Sequence, residues 1–535
     1  MAIIVSNIKT SLEQGIPEIL EAGRRLARVK AGEVERLYLV KSSVDARKRS
    51  QIHLVSTVGI QLRGGPEAEQ AFLARNSGNN QLKLEVPAKT EFTTGSEPMA
   101  HPPVVAGFGP AGMFAALALA RMGYCPVVLE RGQAVEQRVE KVQQFWQQRQ
   151  LDPECNVQFG EGGAGTFSDG KLTCRISDPR CGFVVEELVA HGAPEEVRWK
   201  QKPHVGTDLL RDVVKNIRQE ILALGGRVEF GTRLTGLVWR QGRLAGVQTT
   251  AGEIPTQALV LAVGHSARDT FSMLMEDGVF LEPKPFSVGV RIEQRQEVID
   301  RGLYGNFAGH PALPKGEYQL SHRVENRGVY TFCMCPGGFV VPSASETETV
   351  VTNGMSEYAR DAANANAALV VSVGPEDYGS HPLDGIRFQR EIERRGFALG
   401  GGDYTAPAQT AHSFLNGDKP TLAARTQPSF ANGVRPARLE ELFPQVVNRM
   451  LRLGLGQFER KLPGFADADA QLTGPETRTS SPVRITRSPE SLQALGKEGL
   501  YPCGEGAGYA GGIISAAVDG VRVAQKIMEQ YRPLR

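Results

Sequence analysis

Strands and helices alternate along the middle of the chain. An apolar run at 104–106 leads into a helical stretch of small residues, and a second apolar run follows at 126–129. Between 207 and 224 apolar residues recur every three or four positions, which predicts an amphipathic helix that begins on a Thr207 N-cap. The alternation continues to about residue 282. Such a pattern is typical of a parallel sheet covered by helices.

The pattern changes on both sides of this region. Residues 1–86 alternate as strand, helix, two strands and helix, with a last short strand, which predicts a small ferredoxin-like α+β domain. Residues 87–102 are rich in Thr, Ser and Pro and predict a linker. Residues 284–470 hold β-like pieces and Gly-rich turns, so we expect an inserted, substrate-facing α+β domain there. A strand and a helix return within 471–535, which predicts one Rossmann-like α/β domain split between 103–283 and this C-terminal part.

The first strand of the α/β domain ends in a glycine-rich turn. Gly107, Gly109 and Gly112 have the spacing that permits a tight turn, close approach of a diphosphate and packing of the following helix. Glu130 closes the second strand, where a carboxylate accepts hydrogen bonds from ribose hydroxyls and repels a 2′-phosphate. The unit predicts dinucleotide binding, and a turn retained for packing alone is the alternative. Its predicted cofactor-binding residues are Gly107, Gly109, Pro110, Ala111, Gly112, Glu130 and Arg131.

A second glycine-rich stretch, 159–172, also contains the letters of such a motif. The Asn-Val-Gln-Phe before it is too short and polar for a buried parallel strand, and the Thr-Phe-Ser-Asp-Gly within it starts no helix. We therefore predict a loop whose N–H groups, with a hydroxyl and an ammonium group, form an anion-binding hollow. Its predicted cofactor-binding residues are Gly162, Gly163, Ser168, Gly170 and Lys171.

Two later segments indicate which dinucleotide binds. A middle apolar strand ends at Gly264, and a C-terminal Gly-Glu pair precedes the last helix. With the first turn, they resemble the two-dinucleotide-fold flavoproteins, which include the fumarate reductase and glutathione reductase superfamilies. That resemblance implies FAD, with its ADP half at the first turn and its ribityl-phosphate end at the C-terminal motif. The chain carries Glu505 where most relatives carry Asp, which keeps the acceptor and changes its reach. The residues assigned to FAD in this way are Gly264, Gly504, Glu505, Gly511, Gly512 and Ile513.

A closer resemblance covers essentially the whole chain. The segments that carry it are KSSVDARKRSQI, GFGPAGMF, FGEGGAGTFSDGKL, VGHSARDTF, PFSVGVRIE, FCMCPGG and GEGAGYAGGIISAA. Together they are similar to a widespread family of uncharacterised FAD-dependent dehydrogenases. The resemblance implies FAD and a small N-terminal domain before the flavin domain, and it supplies no substrate.

The strongest candidates for chemistry are Cys333 and Cys335. Strand positions two apart face the same side, so both thiols can meet a substrate or each other in a strained, redox-active disulfide. The alternative is a core strand in which both thiols are small buried apolar groups. His265 follows the glycine of the middle strand and is predicted near FAD, either to handle a proton or to bond a phosphate or the backbone. Arg291 can hold a substrate carboxylate or pair with Glu293, and the pairing is the preferred interpretation.

Composition narrows the class of protein without naming a partner. The 535 residues carry a net charge of +2, and the seven cysteines are scattered without zinc spacing, so we expect no metal. No export signal and no spanning apolar run are visible, so we expect a soluble cytoplasmic protein with no membrane partner. The basic stretch 41–49 keeps RNA open as an alternative partner.

The sequence therefore predicts an FAD-dependent oxidoreductase, a dehydrogenase or reductase that passes hydride between non-covalent FAD and a small organic substrate. Because one nucleotide fold is predicted, the electrons come from transiently bound NAD(P)H or from a redox partner protein. A flavoprotein that binds or modifies RNA through its basic N-terminal domain is the first alternative. A flavin-bound structural or sensor protein without turnover is the second.

Overall fold

The computed structural model describes residues 1–86, 89–174 and 176–534. The predicted linker 87–102 begins with Pro87 and Ala88, which lie outside the described residues. Within the described ranges, no helix is both long enough and apolar enough to cross a membrane.

The N-terminal elements form one antiparallel sheet with two helices. They are β1 (Ala2–Thr10), α1 (Ile16–Ala27), β2 (Val34–Asp45), β3 (His53–Leu62), α2 (Gly65–Arg75) and β4 (Leu82–Glu85), and the strand order is β2-β3-β1-β4. Pro17 begins α1, as suits a first helical turn. A Cβ on Gly23 would lie 2.8 Å from Cβ of Val58, so this glycine lets α1 lie directly on β3.

The next elements build the α/β region and a small antiparallel sheet beside it. They are β5 (Val104–Ala106), α3 (Pro110–Arg121), β6 (Val127–Glu130), α4 (Val135–Gln148), α5 (Arg180–Ala190), α6 (Thr207–Ala223), β7 (Arg227–Phe230), β8 (Leu234–Arg240), β9 (Arg243–Thr249), β10 (Gly252–Pro255), β11 (Leu259–Leu261), α7 (Arg268–Glu276) and β12 (Leu281–Pro283). Strands β8, β9 and β10 pair antiparallel with one another. The predicted N-cap of α6 is wrong: Gly206 holds that position, and the Thr207 hydroxyl donates a 2.7 Å hydrogen bond to the carbonyl of Thr166.

The remaining elements include the larger sheet and the C-terminal strand and helix. They are β13 (Phe286–Arg295), α8 (Gln296–Tyr304), β14 (Ser321–Val324), β15 (Arg327–Cys335), β16 (Phe339–Pro342), β17 (Thr352–Met355), β18 (Asn364–Val373), α9 (Pro375–Tyr378), α10 (Asp384–Gly400), β19 (Ala406–Thr410), α11 (Ala411–Asn416), β20 (Val434–Pro436), α12 (Gln445–Lys461), β21 (Gln471–Glu476), β22 (Val483–Ile485), β23 (Leu500–Pro502) and α13 (Ile513–Gln530). Short 3-10 turns lie at Ala31–Glu33, Gly163–Phe167, Glu195–Arg198, Gly305–Phe307 and Leu439–Glu441.

A five-stranded parallel sheet joins the two ends of the α/β region. Its order is β23-β11-β5-β6-β7, so a strand from the C-terminal part pairs beside the middle strand. Helices α3 and α13 cross closely on it, since a Cβ on Gly520 would lie 2.0 Å from the carbonyl oxygen of Ala111. Ten of the twelve residues of α3 are buried in this core. The carboxyl ends of β5 and β11 and the start of α13 therefore meet at one edge, where ligands bind in open α/β sheets.

The larger sheet has seven strands in the order β14-β15-β18-β13-β21-β19-β20. Strand β21 pairs with β13 and β19, so this sheet continues past the predicted boundary at 470. Helix α12 covers one face, where Phe458, Leu455 and Leu451 are fully buried. Strands β12 and β22 pair as a separate two-stranded link.

The basic stretch 41–49 is partly strand. Strand β2 runs on to Asp45, whose carboxylate pairs with Arg47 at 2.5 Å. The backbone N–H of Ser42 donates to the carbonyl of Trp199, and its own carbonyl accepts from Gln201, so β2 is attached to the α/β region. Residues 47–49 remain exposed at the tip. RNA binding by this stretch stays a prediction.

Candidate cofactor and active site

The first glycine turn has no room for side chains at two positions. Gly107 has a φ of +98°, and a Cβ on it would lie 2.3 Å from the carbonyl oxygen of Ala262. A Cβ on Gly112 would lie 1.9 Å from the carbonyl oxygen of Gly107. Gly109 is the N-cap of α3 and provides no side-chain cap. The first N–H groups of α3 are therefore free for an anion, where the helix dipole also favours negative charge.

The Glu130 carboxylate joins three backbone segments around this turn. Its Oε2 accepts a 2.9 Å hydrogen bond from the N–H of Phe108, and its Oε1 accepts from the N–H groups of Gly132 and Gly160, each at 2.9 Å. The side chain is buried yet reaches the adjoining cleft. Arg131 beside it pairs with Glu154 at 2.8 Å and with Asp269 at 2.9 Å.

Arg138 shapes the second glycine loop, although the sequence did not single it out. Its fully buried guanidinium donates to the carbonyls of Asn156, Val157, Gly160 and Glu161. Burial lowers the pKa of this group to about 10, which still leaves it cationic at neutral pH. No motif in the sequence marked Arg138, because its partners in the loop lie about 20 positions away in the chain.

A cleft of about 1600 Å³, open to solvent, runs from this turn to the larger sheet. The predicted residues that line it are Gly107, Gly109, Pro110, Ala111, Glu130, Arg131, Gly163, Ser168, Gly170, Lys171, Gly264, His265, Cys333, Glu505, Gly511, Gly512 and Ile513. Four predicted residues lie behind its surface: Gly112, Gly162, Cys335 and Gly504.

The N-terminus of α13 opens onto the same cleft as that of α3. Gly512, its N-cap, has a φ of +128° and provides no side-chain cap. A Cβ built on Gly511 or Gly512 would meet nothing within 4 Å, so the space in front of the helix is open. Two helix ends with free N–H groups therefore face one cleft, which suits a ligand with negative charge at two places.

The second glycine loop contributes less free charge than predicted. The ammonium of Lys171 pairs with Glu317 at 2.8 Å. Burial lowers the pKa of Lys171, but Glu317 and Asp169 outweigh it and raise the pKa above its usual value. The Ser168 hydroxyl donates to the carbonyl of Gly165 at 2.6 Å and accepts from the N–H of Gly170 at 3.0 Å. These groups form a neutralised, rigid wall.

His265 and Glu505 lie together in the wall of the cleft. Nε2 of His265 is 4.0 Å from Oε1 of Glu505. Burial, with the nearby guanidinium groups of Arg478 and Arg268, lowers the pKa of His265 to about 3. Burial raises the pKa of Glu505 to about 7. At neutral pH the imidazole is therefore neutral, and the carboxyl group is the one that exchanges a proton.

A buried network of ion pairs, formed by Arg268, Arg478 and Glu393, lies beside His265, and the sequence did not reveal it. Arg268 donates to Glu393 at 2.8 Å, and Arg478 donates to the same carboxylate at 3.2 Å. Burial raises the pKa of Glu393, but the two guanidinium groups outweigh it and lower the pKa to about 2. Arg478 also donates to the Ser266 hydroxyl at 3.1 Å, beside His265. The residues of this ion network come from distant parts of the chain, so no local sequence motif identifies them.

The two candidate cysteines do not lie in a regular strand. A bulge interrupts the pairing of β15 with β18 between Phe332 and Cys335, and Cys333 has a φ of +45°. The expected simple alternation is therefore wrong at this point, although the two thiols do lie together. Cys333 lines the cleft, and Cys335 is fully buried with its thiol 3.4 Å from the carbonyl oxygen of Cys333.

Arg291 does not have its predicted partner. It pairs with Glu476 at 2.5 Å and donates to the carbonyl of Cys333 at 2.9 Å. Glu293 instead accepts from the Ser429 hydroxyl at 2.6 Å and from the Asn364 side chain at 3.1 Å. The preferred pairing of Arg291 with Glu293 is thus wrong, because the neighbouring strand β21 supplies a better placed carboxylate.

Comparison with known proteins gives one family and several distant structures. The model of a family described as FAD-dependent protein, C-terminal domain-like, matches residues 285–479. A protein of Clostridium beijerinckii (strain ATCC 51743 / NCIMB 8052) described as uncharacterized is 47% identical over 534 residues, which are 99% of this chain and 99% of that protein.

Two solved structures illustrate how distant the structural matches are. L-amino acid deaminase from Proteus vulgaris, with a specific insertion sequence deleted, is 12% identical and covers 84% of this chain and 97% of its own, with a TM-score of 0.33. Glycine oxidase from Bacillus cereus ATCC 14579 is 10% identical and covers 81% of this chain and 99% of its own, with a TM-score of 0.34. Membership rests on the close relative and the matching model: the chain belongs to the family of FAD-dependent proteins that includes the Clostridium beijerinckii protein.

Proposed function

We propose that the protein is an oxidoreductase that binds FAD non-covalently in this cleft and passes hydride between the flavin and a small organic substrate. One observation carries the proposal. The uncapped N-termini of α3 and α13 open onto a single cleft that is also lined by His265, Glu505 and Cys333. The cleft thus joins an anion-binding part to a part with proton-exchanging and thiol groups.

The residues of the cleft suit FAD. Glu130 would hold the adenosine ribose, because its Oε2 accepts one hydrogen bond and retains capacity for another. The N-terminus of α3 would hold the diphosphate, and that of α13 the flavin end. Bound FAD would supply hydride-transfer chemistry that no side chain provides.

The surrounding side chains have separate tasks in this proposal. Glu505, with a pKa of about 7, would hold or release a proton at its Oε1, next to the neutral imidazole of His265. Burial and the guanidinium groups of Arg478 and Arg268, which Glu393 holds, would keep His265 neutral. Thus the carboxyl group, rather than the imidazole, would handle the substrate proton.

The electron source is part of the proposal. The nucleotide-binding turn just described would be filled by FAD, so NAD(P)H would bind transiently at the flavin face or a partner protein would deliver the electrons. Anaerobic mixing of the yellow protein with NADH, NADPH or neither, followed by flavin absorbance, separates these routes. Bleaching with one nucleotide supports the first, and no bleaching with either supports the second.

Purification tests the central claim. We expect a yellow protein that releases FAD on heating, with one FAD per chain by absorbance. A colourless protein that binds NAD and takes up no FAD would overturn the proposal. Metabolite profiles of a strain lacking the protein, compared with a complemented strain, would then identify the substrate that accumulates.

A further inference from the structure

The thiols of Cys333 and Cys335, at the end of β15, lie close together beside the cleft. Cys333 is half-buried and faces the cleft, whereas Cys335 lies fully buried beneath it. The thiol of Cys335 is 3.4 Å from the carbonyl oxygen of Cys333, and the two thiols interact closely enough to shift each other's pKa. One thiol is thus accessible and the other is shielded directly behind it.

The backbone around the two residues departs from a regular strand. Residues two apart in an ordinary strand are about 6.6 Å apart at Cα. That lies near the upper end of the roughly 4.4–6.8 Å range that a disulfide spans. The bulge after Phe332 and the left-handed conformation of Cys333, with its φ of +45°, interrupt the regular extended backbone of this segment. A non-glycine residue keeps such a conformation only where its surroundings hold it, as is common at functional sites.

Buried charges hold this conformation and act on the accessible thiol. Arg291 donates to the carbonyl of Cys333 at 2.9 Å and is held in turn by Glu476 at 2.5 Å. The hydrogen bond from Cys335, with the positive charges of Arg291 and Lys171, lowers the pKa of Cys333 to about 7, although burial opposes this. The pKa of Cys335 is raised well above its usual value by its bond to Cys333 and by burial. An accessible thiolate beside a shielded thiol is the arrangement of an attacking and a resolving cysteine.

The accessible thiol also lines the same cleft as Glu505 of the C-terminal Gly-Glu pair. The charge of Cys333 adds to the effect of burial in raising the pKa of the Glu505 carboxyl group. The side chain of Phe332 is 41% exposed and lines the cleft beside Cys333. An apolar ring next to an accessible thiol provides a contact surface for an organic substrate.

We propose that Cys333 and Cys335 form a redox-active dithiol–disulfide couple that exchanges two electrons with FAD, and that Cys333 exchanges with a small-molecule disulfide. This inference rests on the proposed function, because FAD is the electron acceptor or donor. Oxidation of the couple breaks two S–H bonds and forms one S–S bond, and its two electrons and two protons pass to FAD, giving FADH2. In the reverse direction FADH2 returns them. Cys333 then attacks the external disulfide and releases one thiol, and Cys335 releases the second thiol by closing the internal disulfide.

An electron count on the holoprotein tests the couple. Fully oxidised protein is titrated with dithionite under anaerobic conditions while flavin absorbance is followed. We expect the wild type to take up about four electrons per FAD, two for the flavin and two for the disulfide. The variants Cys333→Ser and Cys335→Ser are expected to take up about two. Cys125→Ser is the matched control and is expected to take up about four, because Cys125 lies outside the cleft with its thiol near the carbonyl of Gly123.

A second measurement needs no flavin signal. The holoprotein is equilibrated in glutathione buffers that cover a range of reduction potentials and is then alkylated. The mass of the peptide that carries Cys333 and Cys335 is measured by mass spectrometry. We expect a reversible loss of two alkylation sites on this peptide as the buffer becomes oxidising. A yellow protein that takes up about two electrons and stays fully alkylated in every buffer would overturn the couple while FAD binding stands. A colourless protein whose peptide still loses two sites would overturn the exchange with FAD, and with it the proposed function.

Discussion

Arg291 and Glu476 form a buried ion pair across two neighbouring strands of the larger sheet. Nη2 of Arg291 lies 2.5 Å from Oε1 of Glu476, and its Nε lies 3.1 Å from Oε2. The two residues are 185 positions apart in the chain, on β13 and β21. Since Arg291 also donates to the carbonyl of Cys333, the pair connects the core of the sheet to the candidate active site.

Removing one partner of this pair should cost much stability. We expect Arg291→Met to lower the free energy of unfolding by about 3–5 kcal/mol, because it leaves the Glu476 carboxylate buried without its counter-charge. The double variant R291M/E476L should lose less than R291M alone. Urea unfolding followed by circular dichroism measures both. Arg243→Met is the control: Arg243 is 74% exposed and pairs with Glu498 at 2.9 Å, so its loss should cost under about 1 kcal/mol. Equal losses in R291M and R243M would contradict the argument.

The reactivity of Cys333 should depend on pH around neutrality. Because its pKa is lowered to about 7, the rate of alkylation by iodoacetamide should rise with a midpoint near pH 7. Cys335→Ala removes the hydrogen bond that contributes most to this lowering and should move the midpoint to higher pH. Peptide mass spectrometry gives the rate at each thiol. Cys181 serves as an internal control, because burial raises its pKa and it should react only at more alkaline pH. An unmoved midpoint in C335A would show that Cys335 does not set it.

The turn before α3 should not accept a side chain. In Gly112→Ala the new Cβ would lie 1.9 Å from the carbonyl oxygen of Gly107, so the turn must shift. We expect a loss of about 1–3 kcal/mol in stability and a large fall in bound FAD. Gly182→Ala is the matched control, because Gly182 lies in α5 and a Cβ there meets nothing within 4 Å. That variant should keep its FAD and gain up to about 1 kcal/mol. Thermal denaturation and the flavin-to-protein absorbance ratio measure the two effects.

Both carboxylate oxygens of Glu130 should contribute to the stability of the turn and to FAD binding. Glu130→Gln replaces one acceptor oxygen with an NH2 group, which then faces a backbone N–H that it cannot bond. We expect a loss of about 1–3 kcal/mol in stability and weaker FAD binding by flavin fluorescence titration. Glu229→Gln on the adjacent strand β7 is the control and should leave FAD binding unchanged. Unaltered FAD affinity in E130Q would argue against a role of this carboxylate in holding the cofactor.

Glu505 should make stability fall with rising pH in weakly acidic solution. Burial raises its pKa from 4.5 to about 7, so the unfolded chain loses this proton before the folded one does. The stability of the wild type should therefore decrease between about pH 4.5 and pH 7 and change no further from this group above pH 7. Glu505→Gln should flatten this dependence by about 1–3 kcal/mol. Denaturant unfolding at several pH values, compared between the two proteins, gives the difference; parallel curves would contradict the assignment.

Local sequence motifs were enough to predict the glycine turn, the glycine loop and the extent of one helix. The glycines at 107 and 112 have steric roles that the letters alone suggested, because a turn of positive φ and a close helix contact exclude side chains wherever they occur. The second glycine loop was also recognised as a loop, since its flanks lacked the length and polarity pattern of a strand and a helix. The spacing of apolar residues predicted a helix over 207–224, within one residue of the observed end of α6 at Ala223. The predicted N-cap of α6 was wrong by one residue. Gly206 occupies the N-cap position, and the hydroxyl of Thr207 instead donates to the carbonyl of Thr166, 41 positions earlier in the chain.

By itself the sequence determined a split α/β fold with a dinucleotide-type turn, a glycine loop and two thiols two residues apart. These features depend on backbone sterics and apolar periodicity, which act over a few residues. Tertiary structure alone decided that Arg291 pairs with Glu476, that Arg268 and Arg478 share Glu393, and that Cys333 sits at a bulge facing the cleft. Those contacts join strands and helices far apart in the chain. Which residues make these contacts depends on the register of the strands and on which charged groups are buried next to each other. Neither property can be read from a single segment of the sequence.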